Sequence, residues 1–432
     1  MQPGARLQAA IEVLDDIGSR HRPAAQALSD WGRSHRFAGS RDRAAIGNIV
    51  FDALRRRNSL GYLMGSDAPR ALALGVMAHL WGEDAESIDA MCAEPHGPEP
   101  LTEGELAGFE ARLDAAAPGW VSGDYPEWLD EEFQTAFGAD APEQGAALAE
   151  RAPIDLRVNT LKATRAKVLK ALHSGAPGET PLSPVGIRIP ARSRDAKPPH
   201  LEAEAAHGKG WFEVQDEGSQ LAALLAGAKP GDQVADICAG AGGKSLALAA
   251  QMENTGQLYA YDTDKLRLRP IFERLKRAGA RNVQVLPAGD EAALADLTGR
   301  MDIVFADAPC SGSGAWRRRP DSKWRLSPEA LAKRRDEQWA VLEKAAPLVR
   351  PGGHLVYVTC SVLPSENTGQ AARFLATYDQ FEAVPVTEVW PERLPVPFPG
   401  SAGRADGFGA LLLTPATHGT DGFFVAIFRR AV

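Results

Sequence analysis

The chain has 432 residues, of which 44% are hydrophobic and 24% are charged, and its formal net charge is −8. This composition is typical of a soluble globular protein, and at about 150 residues per domain the length predicts about three domains. The sequence lacks an apolar run of the ~18 residues that a membrane span requires, and its first residues show no signal segment. We therefore expect a cytoplasmic protein with no membrane partner.

The four cysteines are too few for a disulfide framework, and no two of them form a C-x-x-C metal motif. We expect Cys92, Cys238, Cys310 and Cys360 to be free thiols in a reducing compartment, and we expect no bound metal. The negative net charge weighs against nucleic acid, because phosphate binding requires Lys and Arg. Local basic runs can still bind RNA, so position along the chain has to decide.

Residues 1–142 are predicted to form an all-α domain. Apolar residues recur at helical spacing over 6–17, 44–54 and 71–80, and Gly and Pro separate these stretches. Residues 33–57 carry seven arginines against two aspartates. A charge run of this kind is more often a solvated surface than a binding site.

Residues 143–208 are predicted to form a small α+β domain. A strand is expected at 154–159, where apolar and polar residues alternate, followed by a helix at 163–172 and a strand at 186–189. A loop rich in Pro and Lys then extends to His200.

Residues 209–432 alternate between strand and helix patterns, which predicts a mostly parallel, doubly wound α/β sheet of about seven strands. The predicted strands are 233–238, 258–262, 283–286, 302–307, 354–360, 381–386 and 423–429. The predicted helices are 244–252, 265–278, 328–348 and 365–377. Ligands of such folds bind at the carboxyl ends of the strands.

A glycine-rich loop follows the first of these strands, and its residues are Cys238, Ala239, Gly240, Ala241, Gly242, Gly243 and Lys244. A phosphate-binding P-loop would require Gly where Cys238 stands, and a dinucleotide fingerprint would require Gly where Ser245 stands. Both nucleotide motifs therefore fail.

Acidic residues lie at or near the ends of the next three strands. Asp262 lies where a carboxylate can bind ribose hydroxyls, Asp290 lies where one can accept from an adenine amino group, and Asp307 ends the fourth strand. Asp264 competes with Asp262, although it is also placed to cap the following helix. Carboxylates without a phosphate cradle favour a nucleoside that carries no phosphates, and S-adenosylmethionine fits this description.

A second basic run occupies residues 317–335, with eight Lys and Arg residues against two acidic ones. Trp316 and Trp324 are interleaved with it. Because aromatic rings among cations suit base stacking together with phosphate contact, we interpret this run as facing RNA.

Five segments of the last domain resemble those of a known group of enzymes. They are Val214–Gln220, Cys238–Lys244, Asp307–Gly312, Val358–Ser361 and His418–Phe424. The chain is similar to the NOL/NOP/Sun group of RNA cytosine-5 methyltransferases, and within it to the bacterial RsmB/Sun type. The resemblance implies a Rossmann-like methyltransferase domain that uses S-adenosylmethionine, preceded by an RRM-like subdomain and an all-α NusB-like RNA-binding domain. The group's loop usually has Ala-Pro where this chain has Gly240-Ala241, so we expect a less preorganised loop.

The resemblance also implies the site residues. It gives Cys360 as the nucleophile, Cys310 as the residue that promotes release, and Asp307 as the contact to the cytosine edge. The chemistry alone leaves the two thiols open, since DNA cytosine methyltransferases use a cysteine after proline, which would be Cys310. Lys244 is expected to contact the target or lower a thiol pKa. Cofactor contacts are expected from Cys238, Ala239, Gly240, Ala241, Gly242, Gly243, Lys244, Asp262, Asp290 and Asp307.

The resemblance further implies a substrate in 16S rRNA and a protein that acts as a monomer. Two alternatives remain open. The same chemistry could serve another ribosomal RNA site or a transfer RNA, or the chain could be a catalytically inert RNA-binding factor of assembly or antitermination. The intact set of Asp307, Cys310 and Cys360 argues against the inert factor.

Overall fold

The N-terminal part is all helical, as predicted. A computed structural model describes residues 1–173, 175–191, 199–404 and 407–432. Its first helices are α1 Pro3–Arg20, α2 Ala24–Ser34, α3 Ser40–Arg55, α4 Arg57–Met64, α5 Pro69–Gly75, α6 Ala85–Cys92, α7 Glu103–Glu110, α8 Gly119–Ser122, α9 Asp130–Phe137 and α10 Ala141–Leu148. Leu7 and Leu14 of α1 pack with Ile46 and Val50 of α3, because apolar residues at helical spacing share one face. Across the described residues, no helix is both long and apolar enough to span a membrane.

Helices α9 and α10 belong to a different core from the helices before them. Phe133 of α9 is fully buried and stacks on Trp316 with ring centroids 6.1 Å apart. Tyr125 stacks on the other side of Phe133 at 4.0 Å. These rings join the hydrophobic core of the C-terminal sheet. Residues from about 125 onwards therefore pack with the catalytic domain, ahead of the predicted boundary at 142.

The small domain is a four-stranded antiparallel sheet with short helices on one side. Its elements are β1 Ile154–Val158, α11 Arg165–Ala171, β2 Gly178–Glu179, β3 Gly186–Ile189, α12 Ala205–Gly208 and β4 Phe212–Val214, and the strand order is β2-β3-β1-β4. Because β4 pairs with β1, the sheet extends past the predicted boundary at residue 208. Most of the predicted Pro/Lys-rich loop, residues 192–198, lies outside the described residues.

The two faces of this small sheet have different neighbours, because successive side chains of a strand point to opposite faces. Leu156 and Val158 of β1 pack with Val168 of α11 in a small apolar core. Asp155 and Arg157 lie on the other face and bind residues of the catalytic domain and the loop before it. The sheet face opposite the helices is thus covered by protein.

The catalytic domain is a doubly wound sheet whose seven predicted strands are all present. The strands are β5 Gln233–Asp236, β6 Gln257–Ala260, β7 Val283–Val285, β8 Met301–Asp307, β9 Val349–Thr359, β10 Phe381–Val384, β11 Leu411–Leu413 and β12 Phe423–Arg430. The order is β10-β12-β9-β8-β5-β6-β7, with β11 paired to β12. Strands β5 to β9 are parallel, and β12 is antiparallel to both of its neighbours. The three-residue β11 was not predicted.

The helices of this domain are α13 Glu217–Ala226, α14 Gly243–Gln251, α15 Lys265–Leu268, α16 Ile271–Ala278, α17 Glu291–Ala295, α18 Pro320–Arg325, α19 Pro328–Ala345, α20 Thr368–Thr377, α21 Val386–Arg393 and α22 Pro415–His418. Two predicted helices were wrong in part. The helix expected at 265–278 is interrupted at Pro270, which lacks a backbone N–H. The helix expected from Ser365 begins at Thr368, because Asn367 bonds Ser361 and Thr359 and fixes the preceding residues as a loop.

Candidate active site

The two thiols of the predicted site lie together at the carboxyl edge of the sheet. Cys360 directly follows β9, and Cys310 lies three residues beyond β8. Because β8 and β9 are adjacent and parallel, their ends meet, and the two Sγ atoms are 3.3 Å apart. The hydrogen bond with Cys360 and burial raise the pKa of Cys310. This geometry suits one thiolate that accepts a hydrogen bond from a neighbouring thiol.

An ion pair lies beside the thiols. Lys244, near the N-terminus of α14, places its Nζ 2.6 Å from Oδ2 of Asp307, the last residue of β8. Burial opposes the charge on Lys244, but the Asp307 carboxylate outweighs it and raises the pKa of the lysine. The Cys360 thiol is among the groups that raise the pKa of Lys244. The structure thus brings Asp307, Lys244, Cys310 and Cys360 into one cluster.

The glycine-rich loop has a backbone that only glycine adopts easily. Gly240 and Gly242 have φ values of +50° and +83°, which place both in the left-handed region. A Cβ on Gly242 would lie 2.5 Å from Cγ1 of Ile271, so α16 packs directly against the loop. Asp262 accepts from the Gly240 N–H at 2.9 Å and from the Asp264 N–H at 2.8 Å. Its carboxylate is therefore fixed at the mouth of the loop.

Side chains from outside the loop hold two of its carbonyl groups. Arg157 of β1 donates to the Gly243 carbonyl at 2.6 Å, and Arg274 of α16 donates to the Ala241 carbonyl at 2.8 Å. Glu213 of β4 binds Arg274 in turn. Sequence analysis missed these supports, because Arg157 lies on the polar face of an alternating strand, where a charged side chain is expected to meet solvent. They offset the proline that the loop lacks.

A cavity of about 360 Å³ opens beside the loop at the ends of β5, β6 and β8. Its lining includes Cys238, Asp262 and Asp307 from the predicted cofactor residues, together with Tyr261. The buried Tyr261 hydroxyl has no hydrogen-bond partner within the described part of the chain. Asp290 lies outside this lining and instead caps α17, accepting from Ala293 at 3.0 Å. The cavity has the polar groups and the position that a bound nucleoside requires.

Asp264 and Cys238 have structural explanations. Asp264 caps α15 by accepting from the N–H groups of Leu266 and Arg267, as its position before a predicted helix suggested. Cys238 is half-buried and packs against the core. Burial raises the pKa of its thiol, which leaves it a poor nucleophile.

The prediction that the second basic run faces RNA was wrong for its first members. Trp316 and Arg317 are buried, and Arg317 and Arg318 both bind the carboxylates of Asp216 and Asp421. Their partners are more than a hundred residues away in the chain, so the local pattern could not show that the charges are neutralised. Arg317 and Arg318 therefore form ion pairs within the C-terminal domain.

The next members of the run bind the N-terminal helices. Lys323 is buried and donates to the backbone carbonyls of Arg55 and Asp124. The Trp324 indole donates to the Leu54 carbonyl at 2.6 Å. Arg319, Lys333 and Arg335 remain exposed and keep their charges available to a partner.

Two family models and several known proteins match this chain. A family model described as 16S rRNA methyltransferase RsmB/F matches residues 223–429, and a second, described as the RsmF/B-like ferredoxin-like domain, matches residues 125–193. The probable ribosomal RNA small subunit methyltransferase B of Synechocystis is 31% identical over 71% of this chain and 67% of its own length. Its namesake in Bacillus subtilis is 31% identical over 75% of this chain and 70% of its own length.

The fold is likewise found in a solved structure. The crystal structure of a methyltransferase homolog protein from Pyrococcus horikoshii is 27% identical, covers 72% of this chain and 97% of its own, and has a TM-score of 0.60. These similarities confirm the predicted architecture, in which a ferredoxin-like domain and N-terminal helices accompany an α/β methyltransferase domain. The chain therefore belongs to the RsmB/F family of RNA cytosine-5 methyltransferases.

Proposed function

We propose that this chain methylates carbon 5 of a cytosine in 16S rRNA, with S-adenosylmethionine as methyl donor and Cys360 as nucleophile. The observation that carries the proposal is the cluster in which two thiols 3.3 Å apart adjoin the Lys244–Asp307 ion pair. We infer small-subunit ribosomal RNA as the substrate from the names of the two bacterial relatives. We expect the reaction to take place in the cytoplasm, with the protein acting as a monomer.

The thiolate overcomes the poor nucleophilicity of carbon 5. The Cys360 sulfur adds its electron pair to carbon 6, and the former double-bond pair makes carbon 5 nucleophilic. S-adenosylmethionine supplies a methyl group bound to a positively charged sulfur. After carbon 5 has taken up that methyl group, a base removes its proton. The C–H electron pair re-forms the double bond, and the bond between carbon 6 and sulfur breaks to return the Cys360 thiolate.

We assign different roles to the two thiols. Cys360 is assigned as the nucleophile, as the resemblance implies, and Cys310 as the thiol that promotes release, at a separation of 3.3 Å that allows a hydrogen bond between them. Asp307 is paired with Lys244 at the same edge, and we assign it the contact to the polar edge of the cytosine. The base has to leave any stack to reach these groups, as in other enzymes that act on a base.

The cavity residues suit the methyl donor. Asp262 has a fixed carboxylate for ribose hydroxyls, and Tyr261, whose buried hydroxyl has no partner among the described residues, lines the same cavity. Of the loop from Cys238 to Lys244, Cys238 lines the cavity, whereas Ala239 to Lys244 are not among its lining residues; we assign these six to contacts at its edge. Asp290 caps a helix outside the lining, so we assign it a weaker role in binding, through the adenine end of the donor.

The test incubates the protein with unmodified 16S rRNA and methyl-labelled S-adenosylmethionine. Wild type should label a mapped cytosine, Cys360→Ala should give neither product nor adduct, and Cys310→Ala should accumulate an RNA–protein adduct that survives denaturation. The reverse behaviour of the two variants would make Cys310 the nucleophile. Label in transfer RNA alone would refute the substrate, and absence of label in any RNA would favour an inert RNA-binding factor.

A further inference from the structure

We propose that Glu366 is a positioning residue for Cys310: its buried carboxylate fixes the turn that carries this thiol and thereby directs Cys310 to the release step. This inference rests on the proposed cytosine-5 methyltransferase function. Glu366 lies six residues after Cys360, in the loop before α20, and its side chain is fully buried. It touches neither thiol through a hydrogen bond, so it acts through the residues on either side of Cys310.

Both neighbours of Cys310 are held by this carboxylate and its partner. Ser311 donates its backbone N–H to Glu366 Oε1 at 2.7 Å and its hydroxyl to Oε2 at 2.5 Å. Gln338 of α19 donates to the same Oε1 at 2.9 Å and to the Pro309 carbonyl at 3.0 Å. The turn from 309 to 311 is therefore bound before and after the cysteine. Its position relative to Cys360 is set because Glu366 and Cys360 belong to one loop.

The loop that carries Glu366 is itself rigidly held. The Tyr357 hydroxyl of β9 donates to the Glu366 backbone carbonyl at 2.6 Å. The Asn367 side chain donates to the Ser361 carbonyl at 2.9 Å. Because this loop is fixed, the Glu366 carboxylate can hold the turn from 309 to 311 in one position.

The charge of Glu366 adds to the distinction between the thiols. Within the described ranges, no Lys or Arg forms an ion pair with it, and its hydrogen-bond donors, which are Ser311, Gln338 and Ser361, are neutral. Burial raises the pKa of Glu366, and these donors oppose the rise. After the Cys360 hydrogen bond and burial, the Glu366 charge is among the causes that raise the pKa of Cys310. The Glu366 carboxylate thus disfavours a negative charge on Cys310.

Glu366→Gln is the informative substitution because it removes the charge and preserves the shape. The variant can be accommodated with its amide oxygen in place of Oε1, where it accepts from the Ser311 N–H and from Gln338. Its amide nitrogen then takes the place of Oε2 and faces the Ser311 hydroxyl oxygen. Glu217→Gln is the matched control. Glu217 is also a fully buried carboxylate that accepts two backbone N–H groups, from Leu182 and Ser183; unlike Glu366, it also pairs with Arg188.

The first measurement follows release in a single turnover with 16S rRNA and labelled S-adenosylmethionine. Glu366→Gln should slow release of methylated RNA from the adduct by about 10- to 100-fold, with adduct formation almost unchanged. Hydrogen bonds to a neutral amide are weaker than those to a carboxylate, so the turn holds Cys310 in place less firmly. In the Cys310→Ala background it should slow release no further, because both changes act on one group. Glu217→Gln should release product as wild type does. Unchanged release in Glu366→Gln, or an additive effect with Cys310→Ala, would overturn the proposal.

The second measurement needs no turnover, so it separates this proposal from the proposed function. Iodoacetamide alkylation of each cysteine is followed by mass spectrometry at one mildly alkaline pH. Glu366→Gln should react faster at Cys310, since removing the negative charge makes the thiol more acidic, and should leave Cys238 unchanged. Equal Cys310 rates in wild type and variant would refute the electrostatic contact even in an inactive protein. A faster rate in a protein without methyl transfer would refute the function and retain the contact.

Discussion

Gly242→Ala tests how tightly the cofactor loop is built. The new Cβ is strained at a φ of +83° and lies 2.5 Å from Cγ1 of Ile271. The left-handed conformation costs about 1–2 kcal/mol for a residue with a Cβ, and an added methyl in a packed contact costs about 1–3 kcal/mol. The free energy of unfolding should therefore fall by about 2–5 kcal/mol unless the loop moves.

If the loop moves, the cost reappears in cofactor binding. Restoring the bound loop against about 2 kcal/mol would raise the Kd for S-adenosylmethionine about 30-fold. Denaturant unfolding and calorimetric titration measure the two quantities on the same protein. The loss in free energy of unfolding and the loss in binding free energy should add up to the combined cost of the left-handed backbone and the contact with Ile271.

Gly299→Ala is the matched control for the backbone strain. Gly299 has a φ of +67°, and a Cβ there would meet nothing within 4 Å. It should lose only about 1–2 kcal/mol and bind the cofactor normally. Adding Ile271→Ala to Gly242→Ala should cost less than the two single changes combined. Equal stability losses in the two glycine variants, with unchanged cofactor affinity, would refute the packing argument.

Three further predictions concern charged groups. Asp307→Asn deprives Lys244 of its carboxylate, so labelling of 16S rRNA should fall by at least ~100-fold; retention of most activity would exclude Asp307 from the chemistry. Arg157→Met removes a charged hydrogen bond to Gly243 O, and loss of about 1.5 kcal/mol should raise the calorimetric Kd for the methyl donor about 10-fold; an unchanged Kd would show that the small domain does not support the loop. Burial lowers the pKa of Lys323 from 10.5 to about 7. Between these two pH values the lysine is protonated in the unfolded chain and neutral in the folded protein. The free energy of unfolding should therefore rise with pH across that window. Denaturation of Lys323→Met should lack this rise, and an identical pH dependence in wild type and variant would contradict the assignment.

The sequence predicted the parts of the site that lie at the ends of strands. Strands were predicted at 302–307 and 354–360, with ligands at the carboxyl ends of the strands, and Cys310 and Cys360 lie at these ends. The order of the strands was not predicted, so the 3.3 Å separation of the two thiols is a finding of the structure. The roles of the individual site residues remain predictions. Glu366 was not predicted, since nothing local marks a glutamate six residues after a cysteine as the support of a turn fifty residues earlier.

The errors have a common physical cause, which is tertiary pairing. Arg317 and Arg318 read as free cations because their partners Asp216 and Asp421 are remote in sequence. The short strand β11 exists because it pairs with β12, and its three residues carry too little periodicity to predict a strand. Arg157 belongs to a predicted strand, yet its contact with the cofactor loop depends on how two domains meet.

The position of β12 has a consequence for synthesis. This strand fills the space between β9 and β10, although both of those strands are translated before it. Until residues 423–430 have left the ribosome, β9 presents an open, apolar edge beside Cys360, and such edges are prone to pair with other chains. The nascent catalytic domain is thus an unfinished sheet for as long as its final insertion is pending. If the ribosome stalls before residues 423–430 emerge, the chain already contains Cys310 and Cys360 but lacks the strand that completes the sheet. We expect such a chain to bind chaperones.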